Sequence, residues 1–309
     1  MKIAVVGCGA MGSVYAGLLA NAGHEVWAID TWKEHVAAIN AHGLRVEGAS
    51  GDHTVKIHAT RKAADAGECD LVILATKTMH VEPAAESARS LLGEKSVVLS
   101  IQNGLGGPDA AAKILGHERL MVGVVGGFGA SMKGPGHVHH NGWELVRLGE
   151  ISGPISTRLN SVADVWRSAG FKVKCFDDID QLVWEKLICN VCFSGTCAVT
   201  ERTIGEVMAD PDTWLVASGC AVEAYNVARA RGIKLDIDDP VAYVHHFGTK
   251  IPDARPSMLL DHMAARMSEI EAINGAIPAA AKTLGLMAPF NTLISALVRA
   301  KERRLGIRQ

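Results

Sequence analysis

The feature of this sequence that most constrains its fold is a glycine-rich turn close to the N-terminus. Residues 2–6 form a short continuous apolar run, which is typical of a parallel strand buried on both faces. Residues 13–22 follow as a helical run that Gly23 closes. Between the two runs, a G-x-G-x-x-G pattern is formed by Gly7, Cys8, Gly9, Ala10, Met11 and Gly12.

In this strand–turn–helix setting the pattern predicts a dinucleotide-binding turn. Gly7 would make the tight turn, Gly9 would let the backbone approach a pyrophosphate, and Gly12 would let the helix pack on the strand. The phosphates would lie at the N-terminus of the helix. We therefore expect residues 7–12 to bind a cofactor; a glycine turn without a ligand is the alternative interpretation.

The second predicted strand, residues 25–29, ends in an acidic residue, Asp30. A carboxylate at this point accepts hydrogen bonds from the adenine ribose hydroxyls and repels a 2′-phosphate, so it favours NAD(H) over NADP(H). Lys33 stands close enough in sequence to meet a 2′-phosphate if the loop folds back. The sequence therefore favours NAD(H) and leaves NADP(H) open.

Two polar residues follow the next buried strands. The strand over residues 70–76 ends at Lys77, and the strand over residues 96–101 is followed shortly by Asn103. In an open parallel sheet, ligands bind beyond the carboxyl ends of the strands. We expect both side chains to serve the cofactor site; an exposed loop lysine and a turn asparagine are the alternatives.

Alternation of strands and helices continues through the first half and then stops. It predicts an α/β fold, with a Rossmann-type doubly wound sheet over residues 1–177 and an all-α C-terminal domain over residues 178–309. Further predicted elements are a strand at 121–125, a hairpin at 137–150, a helix at 156–170, a strand at 171–176, and helices at 183–200, 212–231, 257–284 and 288–304.

The predicted helix over residues 183–200 is apolar on most sides, with one polar stripe. Its exceptions Lys186, Asn190 and Ser194 are spaced four apart, which places them along one face. Burial lowers the pKa of a lysine, so Lys186 is a candidate acid or base near neutral pH. A lysine whose stem is buried while its ammonium reaches water is the alternative.

Glu269 lies among apolar neighbours in the predicted helix over residues 257–284. Its carboxylate could pair with Lys186 or receive a substrate hydroxyl, whereas a solvated helix glutamate is the alternative.

Neither the cysteines nor the histidines predict a metal site. Cys189 and Cys192 lie mid-helix among apolar residues, where buried thiols acting as small apolar side chains are favoured over a zinc or redox pair. The histidines of residues 137–140 have no acidic or cysteine partner at ligand spacing. We expect them to be surface histidines of a strand.

Composition restricts the partners. The chain has 309 residues and a formal net charge of −2, and it shows neither a basic run for nucleic acid nor a signal peptide. No apolar run reaches the ~20 residues of a membrane helix. Seven scattered cysteines suggest reduced thiols and a cytoplasmic protein. We expect a small-molecule substrate, no nucleic acid and no membrane, and the long apolar helices are compatible with a homodimer.

Taken together, these residues resemble the ketopantoate reductases (2-dehydropantoate 2-reductases) over essentially the whole chain. The glycine motif is shared with many dehydrogenases, but the other motifs are more specific. They are Lys77, Gln102-Asn103-Gly104, Trp184-x-Lys186-Leu187-x-x-Asn190, Gly205-Glu206, Ser257-Met258-Leu259 with Asp261, and Glu269-Ile270 with Asn274-Gly275.

The resemblance implies an NAD(P)-dependent oxidoreductase acting on CH–OH groups. The family reduces a 2-oxo acid with NADPH, giving pantoate for pantothenate and coenzyme A biosynthesis. By resemblance, Lys186 is the catalytic proton donor to the ketone oxygen, with Glu269 beside it and the cofactor. Asn103 would touch nicotinamide and substrate, and Lys77 would help to hold the cofactor. Asn190 and Ser257 would bind the substrate's hydroxyl and carboxylate.

Three positions depart from the family pattern. Ser194 and Ala254 stand where members usually carry substrate-binding asparagines, and Asp30 stands where NADPH-using members usually offer Arg, Ser or Asn nearby. We keep Ser194 as a substrate-binding candidate. The departures leave two alternatives open: an NAD-dependent dehydrogenase that oxidises a 2- or 3-hydroxy acid, and a non-catalytic nucleotide-binding regulatory protein.

Overall fold

The computed structural model describes residues 1–126, 129–142 and 145–309. The chain divides into two compact units. The first unit comprises residues 1–102 and 106–179, and the second comprises residues 103–105 and 180–309. The change at residue 179 lies close to the predicted boundary, while the short segment 103–105 belongs to the second unit. The cofactor-binding role of residues 1–177 and the substrate-binding and catalytic role of residues 178–309 stay predictions.

Twelve strands are formed by the described residues of the first unit. They are β1 (Lys2–Val6), β2 (Glu25–Ile29), β3 (Leu44–Gly48), β4 (His53–Val55), β5 (His58–Thr60), β6 (Cys69–Leu74), β7 (Leu92–Ser100), β8 (Leu120–Val125), β9 (Ala130–Gly134), β10 (His137–His140), β11 (Leu145–Glu150) and β12 (Lys172–Cys175).

Eight of these strands make the main sheet, in the order β12-β11-β8-β7-β6-β1-β2-β5. All neighbours pair in parallel except β11 and β8, which are antiparallel. The chain order runs outward from β1 in both directions, so β1 and β6 flank the switch point of the sheet. Ligands bind at such a point, beyond the carboxyl ends of the strands.

Helices pack on both faces of this sheet. They are α1 (Ala10–Asn21), α2 (Lys33–His42), α3 (Val81–Ala88), α4 (Gly107–Leu115) and α5 (Thr157–Ser168). Side chains alternate along β1, so Ile3 and Val5 enter a core with α1 and α5, whereas Ala4 and Val6 enter a core with α3 and α4. The predicted doubly wound sheet is thus confirmed.

The predicted hairpin over residues 137–150 is wrong. β10 pairs with β3 and β9 in a separate four-stranded sheet of order β4-β3-β10-β9, whereas β11 pairs with β8 and β12 in the main sheet. Residues 143 and 144 of the predicted hairpin lie outside the described residues. The surface assignment of the histidines is wrong at His140, which is fully buried.

The second unit, whose residues are all described, contains helices and no strand. They are α6 (Ile179–Thr200), whose first residue belongs to the first unit, α7 (Ile204–Ala209), α8 (Pro211–Ala230), α9 (Pro240–Thr249), α10 (Ser257–Met263), α11 (Ala276–Thr283) and α12 (Pro289–Arg304). The expectation that no segment is long and apolar enough to cross a membrane is wrong for α6 by length and composition, but 67% of the most apolar window of this helix is buried in the structure. It forms the core of the unit, as expected for the predicted all-α domain.

The single long helix predicted over residues 257–284 is also wrong. α10 ends at Met263, Ala265 adopts a positive φ of 51°, and regular helix resumes only at Ala276. The cause is tertiary. The backbone N–H and hydroxyl of Ser268 both donate to the buried carboxylate of Glu302 on α12, at 3.0 and 2.6 Å, and these bonds replace a helical hydrogen bond.

Candidate active site

The glycine turn of the first unit is built closely against its own backbone. Gly7 has a φ of 90°, and a Cβ there would overlap Thr76, while a Cβ on Gly12 would overlap the carbonyl oxygen of Gly7. A Cβ on Gly9 would meet no atom of the chain within 4 Å. Two glycines are therefore required by the fold, and the exposed Gly9 leaves open space in which a ligand can approach.

The N-terminus of α1 suits a phosphate group. Its cap residue is Gly9, which offers no side-chain acceptor to the first backbone N–H groups, so these donors remain for an anion. The methyl group and backbone of Thr76 lie beside Gly7, and its buried hydroxyl has no hydrogen-bond partner among the described residues. Both observations fit a dinucleotide here. Cys8 is buried, and Ala10 and Met11 are half-buried.

Asp30 is half-buried directly after β2. Its backbone N–H donates to the carbonyl oxygen of Thr60 at 3.2 Å, and its Oδ1 accepts from the backbone N–H of Trp32 at 2.9 Å. An ionised carboxylate has about four acceptor positions, so this bond leaves capacity for ribose hydroxyls. Lys33 is exposed at the first position of α2.

The carboxyl ends of β6 and β7 lie side by side, in agreement with the predicted adjacency of these two strands. Leu74 and Ser100 are register partners. Gln102 joins the two strands, since its Nε2 donates to the carbonyl oxygen of Leu74 at 2.6 Å and its Oε1 accepts from the Ser100 hydroxyl at 2.5 Å. Lys77 lies half-buried just beyond β6.

In the second unit, two predicted site residues are in direct contact. The ammonium Nζ of Lys186, half-buried on α6, donates to the side-chain oxygen Oδ1 of Asn103 at 2.7 Å. This bond orients the ammonium and also orients the asparagine amide, whose remaining side-chain atoms are N–H donors. The pair can thus present several N–H groups to an oxygen that gains negative charge during a reaction.

The two residues that follow Asn103, Gly104 and Leu105, anchor this segment to Ala272. Gly104 has a φ of 80°, and a Cβ there would overlap the carbonyl group of Ala272. The backbone N–H of Leu105 donates to the carbonyl oxygen of Ala272 at 2.9 Å. Asn103 is therefore held by backbone contacts rather than by a mobile loop.

Glu269 is 9% exposed and lies in the irregular segment between α10 and α11, three residues before Ala272. Its carbonyl oxygen accepts from the N–H groups of Ala272 and Ile273, both at 3.1 Å. The same short segment thus carries Glu269 and anchors the peptide after Asn103. The helical setting predicted for Glu269 is wrong, and its burial argues against the alternative of a solvated helix glutamate.

The three substrate-binding candidates occupy different settings. Asn190 is half-buried and Ser194 is 3% exposed, one and two turns beyond Lys186 on α6. Ser257 is exposed at the first position of α10. The structure aligns the first two with Lys186 along α6 and adds nothing to the expected role of Ser257.

The cysteines of α6 are buried thiols. Burial raises the pKa of Cys189 and of Cys197 to about 12, and raises that of Cys192 well above its usual value. Such thiols are protonated and unreactive at neutral pH. Within the described residues, no group of three or more His, Cys, Asp and Glu is arranged to hold a metal ion.

Sequence reasoning missed three residues that lie beside the candidate site residues of one unit or the other. They are Thr76, whose methyl group and backbone lie beside Gly7; Trp32, which is exposed beside Asp30; and Glu302, which anchors Ser268 next to Glu269. Trp32 carried a usable signal, because it is a large aromatic residue only two positions after the acidic strand end at Asp30. The roles of Thr76 and Glu302 depend on contacts distant in sequence.

Two family models match the chain. The model described as Ketopantoate reductase PanE/ApbA matches residues 3–153, and the model described as Ketopantoate reductase PanE/ApbA C terminal matches residues 178–302. A 2-dehydropantoate 2-reductase from Pyrococcus abyssi is 33% identical over 307 residues, which cover 99% of this chain and 99% of that protein.

Solved structures of the same fold are equally similar. A PanE/ApbA family ketopantoate reductase from Ralstonia eutropha JMP134 has a TM-score of 0.91 at 32% identity, covering 99% of this chain and 100% of that chain. A ternary structure of D-mandelate dehydrogenase with NADH and anilino(oxo)acetate has a TM-score of 0.92 at 29% identity and covers 100% of both chains. These matches confirm the resemblance and the fold class predicted from the sequence.

Proposed function

We propose that this chain, which belongs to the ketopantoate reductase family, reduces the ketone of ketopantoate (2-dehydropantoate) or of a close branched 2-oxo acid. Family membership makes it an oxidoreductase acting on CH–OH groups with a nicotinamide dinucleotide. The observation that carries the proposal is the hydrogen bond between Lys186 and Asn103 in the second unit.

In this proposal Lys186 is the proton donor. When bound, the nicotinamide supplies the hydride that reduces the carbonyl carbon. The ketone oxygen then gains negative charge, and the Lys186 ammonium stabilises that charge and transfers a proton to it. Asn103 holds the ammonium through Oδ1 and offers its N–H donors to substrate and nicotinamide.

The remaining candidates have supporting roles in this proposal. Asn190 and Ser257 bind the hydroxyl and carboxylate of the substrate, with Ser194 on the same helix face as Asn190. Glu269, which is almost fully buried, acts beside Lys186. On the first unit, the turn of residues 7–12 binds the pyrophosphate, and Lys77 helps to hold the cofactor.

The test is the Lys186→Ala variant, because general acids contribute about 10²–10⁴-fold to rate. We expect the turnover number to fall by about that factor while the cofactor Kd is nearly unchanged. Lys234→Ala, which removes an exposed lysine from the same unit, is the matched control and should keep full turnover. Weaker cofactor binding with unchanged turnover would contradict the role of Lys186.

We propose NAD(H) as the preferred cofactor, although the family resemblance points to NADP(H). Support comes from Asp30, half-buried after β2, and from the structurally similar D-mandelate dehydrogenase solved with NADH. Asp30→Arg should shift preference toward NADPH, because it replaces a group that repels a 2′-phosphate with one that binds it. Unchanged kcat/KM ratios for the two cofactors would remove Asp30 from the ribose site.

A second candidate function is the oxidation of a 2- or 3-hydroxy acid with NAD. It is favoured by the similarity to D-mandelate dehydrogenase and by Asp30. Initial rates with ketopantoate and each reduced cofactor, compared with rates for hydroxy acids and NAD, separate the two directions. A non-catalytic regulatory protein would bind cofactor but show turnover in neither direction.

Compartment and assembly complete the proposal. We propose a cytoplasmic enzyme, in agreement with seven free cysteines of which six are buried. A homodimer is supported by Leu293 and Leu297, which lie four apart on α12 and are 54% and 42% exposed. Sedimentation of the purified chain at several concentrations measures the assembly state directly.

A further inference from the structure

Trp32 is an exposed aromatic residue beside the proposed ribose site. It is 37% exposed, precedes α2 directly, and is joined to Asp30 by the hydrogen bond from its backbone N–H to Oδ1. Its indole ring stacks on the imidazole of His35, with ring centroids 5.2 Å apart and an angle of 12° between the planes. The indole is therefore supported by a second flat ring.

His35 is itself locked to the glycine turn. The backbone N–H of Gly136 donates to its Nδ1 at 2.9 Å, so the ring proton lies on Nε2, which donates to the Ser13 hydroxyl at 3.2 Å. The Ser13 hydroxyl in turn donates to the carbonyl oxygen of Cys8 at 2.9 Å. Burial lowers the pKa of His35, which keeps this neutral form at physiological pH.

These bonds give the indole a defined position relative to the turn that would hold the pyrophosphate. His35 is fully buried, so it cannot turn away from the indole that covers it. A surface tryptophan normally loses side-chain freedom when a ligand binds. Here that freedom is already restricted, and pre-organisation of this kind strengthens binding.

We propose that Trp32 is the stacking platform for the adenine ring of the cofactor. The inference rests on the proposed function in that a nicotinamide dinucleotide binds at residues 7–12. In that proposed site Asp30 would bind the ribose to which adenine is attached, and Trp32 follows Asp30 by two residues, within reach of a base one glycosidic bond away. Adenine is a flat π-system, and such bases stack favourably on aromatic side chains.

A different role for Trp32 is to shield His35 from water. Removing the indole would then loosen the whole network down to Cys8 and would disturb the phosphate-binding turn. Such a disturbance would affect every ligand that carries a phosphate group. Only stacking predicts a loss confined to ligands that contain adenine.

The experiment compares Trp32→Leu with the wild-type chain, using ADP-ribose, NADH and reduced nicotinamide mononucleotide, which lacks adenosine. We expect the Kd of ADP-ribose and the KM for NADH to rise about tenfold, as for loss of one base–aromatic stack. The kcat with NADH and the kcat/KM with the mononucleotide should remain unchanged. Trp32→Phe should keep most of the affinity.

Trp27→Leu is the matched control, because Trp27 on β2 also stacks on a histidine. Its ring centroid lies 4.4 Å from that of His58, with an angle of 20° between the ring planes. It should leave the Kd of ADP-ribose unchanged. Equal losses for adenine-containing and adenine-free ligands, or no loss in Trp32→Leu, would overturn the platform while leaving the proposed function standing. A wild-type chain that binds neither NADH nor ADP-ribose would overturn both.

Discussion

Substitution of Glu302 is expected to lower the stability of the second unit strongly. Its carboxylate is fully buried on α12 and accepts hydrogen bonds from Ser268, from Nε of Arg308 at 2.6 Å and from Nε2 of His262 at 3.3 Å. Burial alone would raise the pKa of Glu302. The hydrogen bonds together outweigh burial and lower the pKa from 4.5 to about 2.

This difference in pKa sets the size of the effect. A carboxyl group with a pKa of about 2 in the folded chain and 4.5 in the unfolded chain contributes about 3 kcal/mol to the free energy of unfolding near neutral pH. Glu302→Gln should therefore lower that free energy by about 3 kcal/mol, which is a large part of the ~5–15 kcal/mol that stabilises an ordinary protein. The variant would also release Ser268 and the segment that carries Glu269.

The same difference predicts how the effect depends on pH. Because the folded pKa is depressed, the stabilisation is fully present above pH 4.5 and is lost as the pH falls toward 2. At about pH 3, roughly 2 kcal/mol of it should be gone. The gap between wild type and Glu302→Gln should thus narrow from about 3 kcal/mol at neutral pH to about 1 kcal/mol at pH 3.

Urea unfolding followed by circular dichroism at both pH values measures this gap. Glu271→Gln is the matched control, since Glu271 also accepts from Arg308, at 2.9 Å, but its side chain is 54% exposed. An exposed pair contributes at most about 1 kcal/mol. Equal losses in the two variants, or a Glu302→Gln gap that does not change with pH, would refute the reasoning.

Two further substitutions test packing around the site. Gly104→Ala should lower turnover by about tenfold or more with little change in cofactor Kd, because its Cβ would overlap Ala272 and displace Asn103. Full activity would contradict the view that turnover depends on the position of Asn103. Glu223→Ala should lower the free energy of unfolding by about 2 kcal/mol, measured by urea unfolding, because its buried carboxylate accepts the first N–H groups of α12, including that of Phe290 at 2.7 Å.

The sheet of the first unit was predictable because its signals are local. The apolar run of β1, the glycines of the turn and the helix that follows are adjacent in sequence, and β2 has the predicted bounds, Glu25–Ile29. The same locality placed Lys186, Asn190 and Ser194 on one face of α6. In each case a period of 2.0 or 3.6 residues specifies which side chains share a face.

Where partners are distant in sequence, the predictions failed. Residues 257–284 carry a helical pattern, yet Glu302, 34 residues beyond Ser268, accepts the bonds that interrupt it. Residues 137–140 read as one arm of a hairpin, yet β10 pairs in parallel with β3, which begins at Leu44. No pattern within a short stretch of sequence indicates either partner. The contacts with Glu302 and with β3 replace the locally favoured helix and hairpin only when the chain folds.

The Lys186–Asn103 contact shows the same limit within the site. The two residues are 83 positions apart, and the strand-end position of Asn103 pointed to the cofactor rather than to a lysine. The two residues meet because the short segment 103–105 belongs to the second unit, although it directly follows residues of the first unit in sequence. A hydrogen bond to Ala272, three residues after Glu269, holds this segment in place. Each residue type was suggested by its own surroundings. The joint role as an oriented acid that we propose for them depends on Gly104, whose φ of 80° and missing Cβ permit the close approach to Ala272.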